Sequence, residues 1–532
     1  MKPLEDSKIN KPVTQKNRTK NKTIVTSLVM LCTMATRLLG FVRNALINAI
    51  FGASGTNDVL QAVFTIPNNF RKLLAEGALS SAFIPVLSKA IVNDKTGDSA
   101  KRLARNIITF QFVFLVPILA LSIIFADPII ELFLAFKEPL QMELAKSLFR
   151  WLIFYLFFVS LSAVLMGVLN SNNIFVVPAL SPLMFSLVVI SSVFFLHETL
   201  GIFCMAVGVL GGGLLQIIFQ LPFFKKIGYD LKPELGFKNE DFKKVLWLWL
   251  PVIATSSIFV INHQVAIFFA SSLEEGSIVF LASALVFWQL PFGIFSASIT
   301  TVLFPKMSRQ AAKKDNNGLI ESVSYGLRFL FTVLIPSSIF LILFGKEIVV
   351  IAYQRGNFTT IHSIQTGYVL IGYAIGLFSV GGFNFLQRFF YANKDYKTPF
   401  WIAFIVMCID IIISIWLKDT YLRVIGLAVA NSVSFTVGIV IMFIFARKRL
   451  KRIDGKKIGK TFIKVIFSMI PAAAVLFLYS YLVRELWTEA SSFINLALLL
   501  GGFVCFTVIS LLFYYLTGVE ILKDIIARRF KK

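Results

Sequence analysis

Residues Thr36–Lys89 read TRLLGFVRNALINAIFGASGTNDVLQAVFTIPNNFRKLLAEGALSSAFIPVLSK, two long apolar runs that nonetheless hold Arg37, Arg43, Asp58, Arg71, Lys72 and Glu76. A charged side chain at the centre of a lipid-facing helix costs about 2.5–3.5 kcal/mol. Four cations at that depth sum to roughly 10–14 kcal/mol on the same scale. Such a stretch persists only if its cations face a wet cavity or pair with acids. Intramembrane charges of this kind mark a functional site, and the cationic bias predicts an anionic ligand.

The surrounding chain supplies the membrane. It has 532 residues, 57% of them hydrophobic and 15% charged, with mean hydropathy +0.79. A soluble domain sits nearer 45–50% apolar and about 25% charged, so the composition predicts an all-α polytopic membrane protein. Apolar runs long enough to cross a bilayer recur about fourteen times, from near 25–50 to near 491–517. An even number of spans places both termini on one side. On that side fall 40 of the 52 Lys and Arg, against seven in the opposite loops. The positive-inside rule therefore puts both termini in the cytoplasm. It also accounts for the net charge of +24, which faces anionic lipids of the inner leaflet and not nucleic acid. Cys32, Cys204, Cys408 and Cys505 lie in separate apolar runs without metal-ligand spacing and read as buried thiols. The apolar run after the basic tail is too long for the core of a signal peptide, so the first helix is expected to be retained.

A repeat at an offset of about 220 residues organises the spans. AIFGAS at 49–54 recurs as AIFFAS at 266–271, and the link ending at Pro178 recurs as the link ending at Pro399. The stretch from Pro67 to Pro85 recurs from Pro291 to Pro305, shortened by four residues, about one helical turn. Two six-helix lobes related by a pseudo-two-fold along the membrane normal follow, with two extra C-terminal helices outside the repeat. The expected division is a basic tail at 1–23, an N-lobe at 24–230, a C-lobe at 240–450, two added spans at 458–520 and a basic tail at 521–532. Transporters of this design hold substrate between lobes that rock alternately open. The first copy of the repeat carries RKLLAEG where the second carries no charge, so the anion site is weighted to the first lobe.

Arg37, Arg43, Arg71 and Lys72 are the candidate ligand-binding cations. Arginine donates two parallel hydrogen bonds to a phosphate, whereas lysine acts as a point charge. Asp58 and Glu76 are the candidate gating acids, pairing with those cations when the site is empty. Two plainer readings stand beside this one: ion pairs that only lock helices together, and snorkelling of Arg71 and Lys72 from a span end. Asp410, a lone acid in CIDIIIS, is a weak candidate for a cation site, and His263 reads as a packing residue. Gly211-Gly212-Gly213 lacks the context of a phosphate loop and reads as close helix packing. No Walker motif, hydrolase elbow or zinc spacing appears, so the expectation is a transporter without cofactor and not an enzyme. Coupling to the membrane potential or to a cation is the expected energy source.

The blocks TRLLGFVRN, FGASGTND, IPNNFRKLLAEGALSSAFIPVLSK, QLPFGIFSASITTVLFPKMS, YQRGNFT and RFFYANKDYKTP resemble, in order and over most of the chain, the MurJ (MviN) family of bacterial lipid II flippases. That family belongs to the MOP exporter superfamily. The resemblance implies fourteen helices, a bacterial inner-membrane location and a role in peptidoglycan synthesis and cell shape. The implied cargo is undecaprenyl-pyrophosphate-linked disaccharide-pentapeptide, moved from inner to outer leaflet by alternating access. It further implies a lipid-tail groove made by the last two spans and contact with cell-wall synthesis enzymes. Arg37, Arg43, Asp58, Arg71 and Glu76 fall at positions of the family's essential charged residues, and Lys72 at one that is often arginine. Two positions depart from the pattern. Asn44 follows Arg43 where many members have aspartate, and LASALVFWQLP lacks an Asp-Arg pair, leaving the second lobe without its cavity arginine. The alternatives left open are a flippase for another polyprenyl-linked oligosaccharide and a non-transporting scaffold of cell-wall synthesis.

Overall fold

The computed structural model describes residues 15–74, 78–94, 96–483, 486–487 and 492–521, and among these every regular element is helical. The first half contains α1 (Gln15–Phe51), α2 (Gly55–Leu74), α3 (Ala78–Asn93), α4 (Asp98–Ile124) and α5 (Ala126–Phe133). It continues with α6 (Pro139–Leu152), α7 (Tyr155–Ser171), α8 (Val176–Leu200) and α9 (Cys204–Lys226). The second half contains α10 (Glu240–Ser271), α11 (Ser277–Pro291), a π turn at Phe292–Ser296 and α12 (Ala297–Ala312). Then come α13 (Asn316–Tyr353), α14 (Thr360–Ile375), α15 (Leu377–Ala392), α16 (Lys397–Lys418) and α17 (Arg423–Leu450). Two more helices follow, α18 (Gly455–Leu482) and α19 (Ser492–Thr517).

The two halves pack by the same rules. α1 lies on α8 as α10 lies on α16, and α3 on α7 as α12 on α15. α4 meets α7 as α13 meets α15, while α8–α9 and α16–α17 are adjacent pairs in each half. The sequence repeat is thus a repeat of tertiary contacts. α18 and α19 pack on each other and on α13. Their attachment is polar as well as apolar: buried Arg328 of α13 meets Glu520 at 2.6 Å, and the Tyr514 hydroxyl donates to the Thr332 carbonyl at 3.0 Å.

By length and composition the described residues hold ten membrane-crossing helices, or twelve if each bent pair is one span. The expected fourteen is not reached by that measure, for two physical reasons. α2 and α3 lie either side of residues 75–77, which fall outside the described set. The 51-residue stretch Val176–Lys226 counts once but holds the two helices α8 and α9. α1 also begins at Gln15, inside the basic segment expected to precede the first span.

Prolines mark where the helices deform. Pro67 and Pro85 lie inside α2 and α3, and are not boundaries. In the second copy the break takes the form of the π turn directly after Pro291. A proline removes one N–H from the i→i−4 ladder and crowds the preceding turn, and a π turn absorbs the resulting register change. α10 bends by 41° between Glu240–Ala254 and Ser256–Ser271. Its early part, with Phe242, Val245 and Trp249, belongs to the apolar core of α3 and α4, whereas its later part meets α2 and α16. α10 therefore belongs to both halves.

The linker between the halves is fastened to α4. Arg105 donates Nε and Nη2 to the two oxygens of Asp230, each at 2.6 Å, and this pairing holds the Asp230 carboxyl below the usual carboxylate range. Asn106 exchanges two hydrogen bonds with the backbone of Gly236, and Thr109 accepts from the Glu234 amide.

The glycine triplet reads as packing in the structure too. A Cβ on Gly212 would stand 3.0 Å from the Phe185 carbonyl oxygen and 2.8 Å from its ring, so α8 and α9 touch through backbone. Gly212→Val should destabilise the first half by about 1–3 kcal/mol through overpacking. A lowered thermal unfolding midpoint of the purified protein is the expected result, and an unchanged midpoint would show that α8 can retreat without cost.

Candidate functional site

The expected charged residues separate into two groups along the seam between the halves. The first is cationic. Arg43 on α1 is half-buried, its guanidinium carbon 5.4 Å from the centre of the Phe185 ring and within electrostatic reach of Tyr155 and Arg71. An arginine over an aromatic face is stabilised by the ring quadrupole without losing its hydrogen-bond donors. Among the described residues Arg43 forms no ion pair. Arg71 on α2 donates Nε to Asn68 Oδ1 at 2.9 Å, and Lys72 reaches Asn69 Oδ1 at 3.5 Å. Asn69 in turn donates to Gln264 of α10 at 3.3 Å, so the cationic end of α2 is joined to the second half by amides. His263, next to Gln264 on α10, lies near Lys72, and its Nδ1 has no hydrogen-bond partner among the described residues.

Arg37 stands apart from this cluster. It is exposed, and one guanidinium nitrogen lies 3.1 Å from where a Cβ on Gly293 would sit. Gly293 belongs to the π turn between α11 and α12, so the arginine reaches across the seam and lies close against the second half. The structure thus brings Arg43 and Arg71 together, places Lys72 one residue further along, and holds Arg37 against the opposite half. Glu76 lies outside the described residues. α11 carries no charged side chain along its length.

The second group is a latch at the ends of α1, α2 and α11. Asp58, buried in the first turn of α2, accepts from the Gly276 amide at 2.6 Å and the Val279 amide at 2.9 Å. These are free N–H groups at the start of α11, where the helix dipole favours a carboxylate. In this conformation Asp58 therefore meets backbone amides of the opposite half, where a cationic partner was expected. Glu275 makes the reverse contact: it accepts from the Gly55 amide at the start of α2 at 3.3 Å, and from Gln141 at 2.9 Å. Glu275 lies 217 residues after Asp58, the same offset that separates AIFGAS from AIFFAS. Each half therefore caps the other's helix with the equivalent residue of the repeat. Glu275 was not singled out from the sequence, although that offset would have found it.

Further polar contacts seal the same seam. Asn48 donates to Ser283 at 2.9 Å, and Asn57 holds Asn48 and the Gly52 carbonyl. The YQRGNFT loop closes over the end of α1, with the Asn357 amide donating to Ala49 O at 2.8 Å and its side chain to Ile50 O at 2.6 Å. Gly52 makes this approach possible: it has φ +64°, and a Cβ there would stand 2.6 Å from the Asn357 carbonyl oxygen. Phe41 stacks on Tyr353 at 5.7 Å beneath.

Asp410 occupies a separate site within the second half. It is buried, and Oδ2 accepts from Asn262 of α10 at 2.7 Å and from Asn431 of α17 at 3.4 Å. Oδ1 has no hydrogen-bond partner among the described residues, although Ser414 and Ser434 stand beside the carboxylate. No cluster of three or more His, Cys, Asp or Glu side chains suited to a metal occurs among the described residues.

Known proteins share both the sequence and the fold. The family described as lipid II flippase MurJ matches residues 47–498. A probable lipid II flippase MurJ of Borreliella burgdorferi is 34% identical over 507 residues, covering 93% of this chain and 99% of its own. The lipid II flippase MurJ of Burkholderia cenocepacia is 27% identical, covering 78% and 82%. A solved structure titled lipid II flippase MurJ, inward closed conformation, aligns with TM-score 0.75 at 28% identity, over 92% of this chain and 99% of that one. An inward-facing multidrug resistance transporter of the MATE family aligns with TM-score 0.62 at 15% identity, a likeness of fold alone.

If the Asp58 cap holds the seam, Asp58→Ala should loosen it and Asp58→Asn should do so less. In a cysteine-free background a cysteine placed at Ser283, beneath the latch, should react several-fold faster with a membrane-impermeant thiol reagent when Asp58 is alanine. Equal labelling rates would show that the surrounding contacts hold the seam without it.

Proposed function

Because this chain belongs to the lipid II flippase MurJ family, we propose that it moves undecaprenyl-pyrophosphate-linked disaccharide-pentapeptide from the inner to the outer leaflet of the bacterial cytoplasmic membrane. The observation that carries the reading is the Arg43–Arg71 pair at the seam between two pseudo-symmetric helical halves. Two cations side by side in a low-dielectric site repel, and a doubly charged pyrophosphate relieves that repulsion. Arg43 and Arg71 bind the pyrophosphate, Lys72 adds charge, and Arg37 reaches the cargo from beside the π turn. Both termini and the basic loops face the cytoplasm, in line with the charge asymmetry. The chain acts as a transporter, and no catalytic step is assigned to it.

Movement follows from alternation of the seam. With Asp58 and Glu275 capping each other's helices the far side is shut. Cargo drives opening only by binding the two states unequally. Arg43→Ala should abolish rescue of a conditional strain depleted of its own lipid II flippase, with Arg43→Lys intermediate, at unchanged membrane abundance. Growth of the alanine variant at normal rate, with lipid II reaching the outer leaflet, would exclude the anion clamp. No rescue by the wild type would favour a different polyprenyl-linked glycan.

A second element concerns energy. Asp410, with one unpartnered oxygen and Asn262, Asn431, Ser414 and Ser434 around it, suits a monovalent cation, which takes one carboxylate and neutral oxygens. Translocation in proteoliposomes should respond to an imposed sodium gradient in the wild type and not in Asp410→Asn. Equal responses would remove Asp410 from the coupling.

A further inference from the structure

The strip from Ser277 to Pro305 carries no charge, yet the second half is not without a cation facing it. Between α12 and α15 lies a cavity of about 480 Å³. Its walls include Ser296 of the π turn, Thr300, Thr301 and Phe304 of α12, and Asn384 and Arg388 of α15. Arg388 is exposed, with its guanidinium carbon 6.0 Å from the Phe304 ring and 5.8 Å from the Tyr391 ring. Among the described residues it forms no hydrogen bond and no ion pair. Asp395, the nearest acid along the chain, is bound to Arg449 at 3.1 Å and to Thr398 at 2.9 Å. Thr300 has no hydrogen-bond partner among the described residues. Asn384 uses one amide proton on the Val380 carbonyl, which leaves a second for a ligand.

The row of residues that lines the cavity meets the first half at one end. Gly293, Ala297, Thr300, Thr301 and Phe304 follow one another at helical spacing, and Arg37 sits over Gly293 at the head of that row. The adjacent row carries the exposed apolar side chains of Ile294 and Val302 on either side of Ser298. The row leading to Arg388 is small and hydroxylated instead. Eleven residues separate Gly293 from Phe304, a rise of about 16 Å. A single pyrophosphate is too short to touch both Arg37 and Arg388, so the pair suits an extended polar group with anionic charge at two places.

We propose that the Arg388 cavity is a second oxyanion subsite, on the half whose strip from Ser277 to Pro305 carries no charge, and that it grips an anionic group of the translocated headgroup. This rests on the lipid II reading above. Arg388 supplies a forked donor, Thr300 and Asn384 add neutral donors, and the Phe304 and Tyr391 rings flank the guanidinium. The oxyanion is either a stem-peptide carboxylate or the pyrophosphate.

The test uses the purified full-length protein in nanodiscs, with binding of lipid II and of undecaprenyl pyrophosphate measured in parallel. Arg388→Gln should weaken lipid II binding about tenfold or more, the scale expected for a lost charge-assisted contact. Thr300→Val, close in shape, should weaken it less but in the same direction. Undecaprenyl pyrophosphate binding unchanged in Arg388→Gln identifies the peptide carboxylate as the ligand group, and equal weakening of both identifies the pyrophosphate. Unchanged lipid II affinity in both variants overturns the subsite. If Arg388→Gln fails to fold, Thr300→Val decides alone, and unchanged affinity there overturns it. A wild type that binds neither lipid instead refutes the lipid II reading, and the subsite falls with it.

Discussion

The reciprocal capping of α2 and α11 is the constraint on which the arrangement of the two halves depends. A helix start presents N–H groups with no partner in its own ladder, and leaving them buried and unbonded is costly. Here those groups meet at the seam, and each half answers the other's with a carboxylate, Asp58 toward Gly276 and Val279, Glu275 toward Gly55. The contact is electrostatic and directional, so it opens as a unit. An apolar seal of the same area would have no such preferred geometry. The amide contacts of Asn48 and Asn357 extend the same logic, being polar bonds across the seam that water can replace when the halves part.

With that end fixed, the placement of the cations follows. α1 and α2 are held at the seam by their capped ends, and Arg43 and Arg71 project from them lower down, beside Phe185 and Asn68. Their mutual repulsion is tolerated because the ring face, the amides and the half-exposed setting keep them from full desolvation. Two like charges side by side repel, so such a pair is a poor device for only holding helices together. Their retention argues for a ligand.

Much of this was legible in the sequence for identifiable reasons. Helix and membrane follow from composition and run length, and the repeat follows from AIFGAS and AIFFAS, because a duplicated lobe must duplicate its contacts. The charged stretch announced itself by its cost in lipid. What the sequence hid depends on long-range geometry. Asp58 looked like a partner for arginine because side-chain charges are visible in sequence and backbone amides are not. Glu275 looked like an ordinary loop acid until its partner, 220 residues away, was in view. Arg388 looked like one more basic residue near a span end. Its position against Phe304 and an uncharged helical face depends on how α12 lies on α15. The count of spans was obscured where α2 gives way to α3 and where α8 turns directly into α9.

The strength of the latch is matched to its task. A hydrogen bond to a charged group contributes about 1.5–3 kcal/mol, so Asp58 and Glu275 together hold the seam by only a few kcal/mol once non-additivity is allowed for. Moving a two-state equilibrium from 1:99 to 99:1 requires about 5.5 kcal/mol of differential binding. A much stronger seal would lie beyond what a bound headgroup can offset, and a much weaker one would leave the two states mixed without cargo. Carboxylate-to-amide capping sits in that interval, and it has a second advantage. Because the caps use backbone groups at helix ends, breaking them leaves each helix's own hydrogen-bond ladder intact.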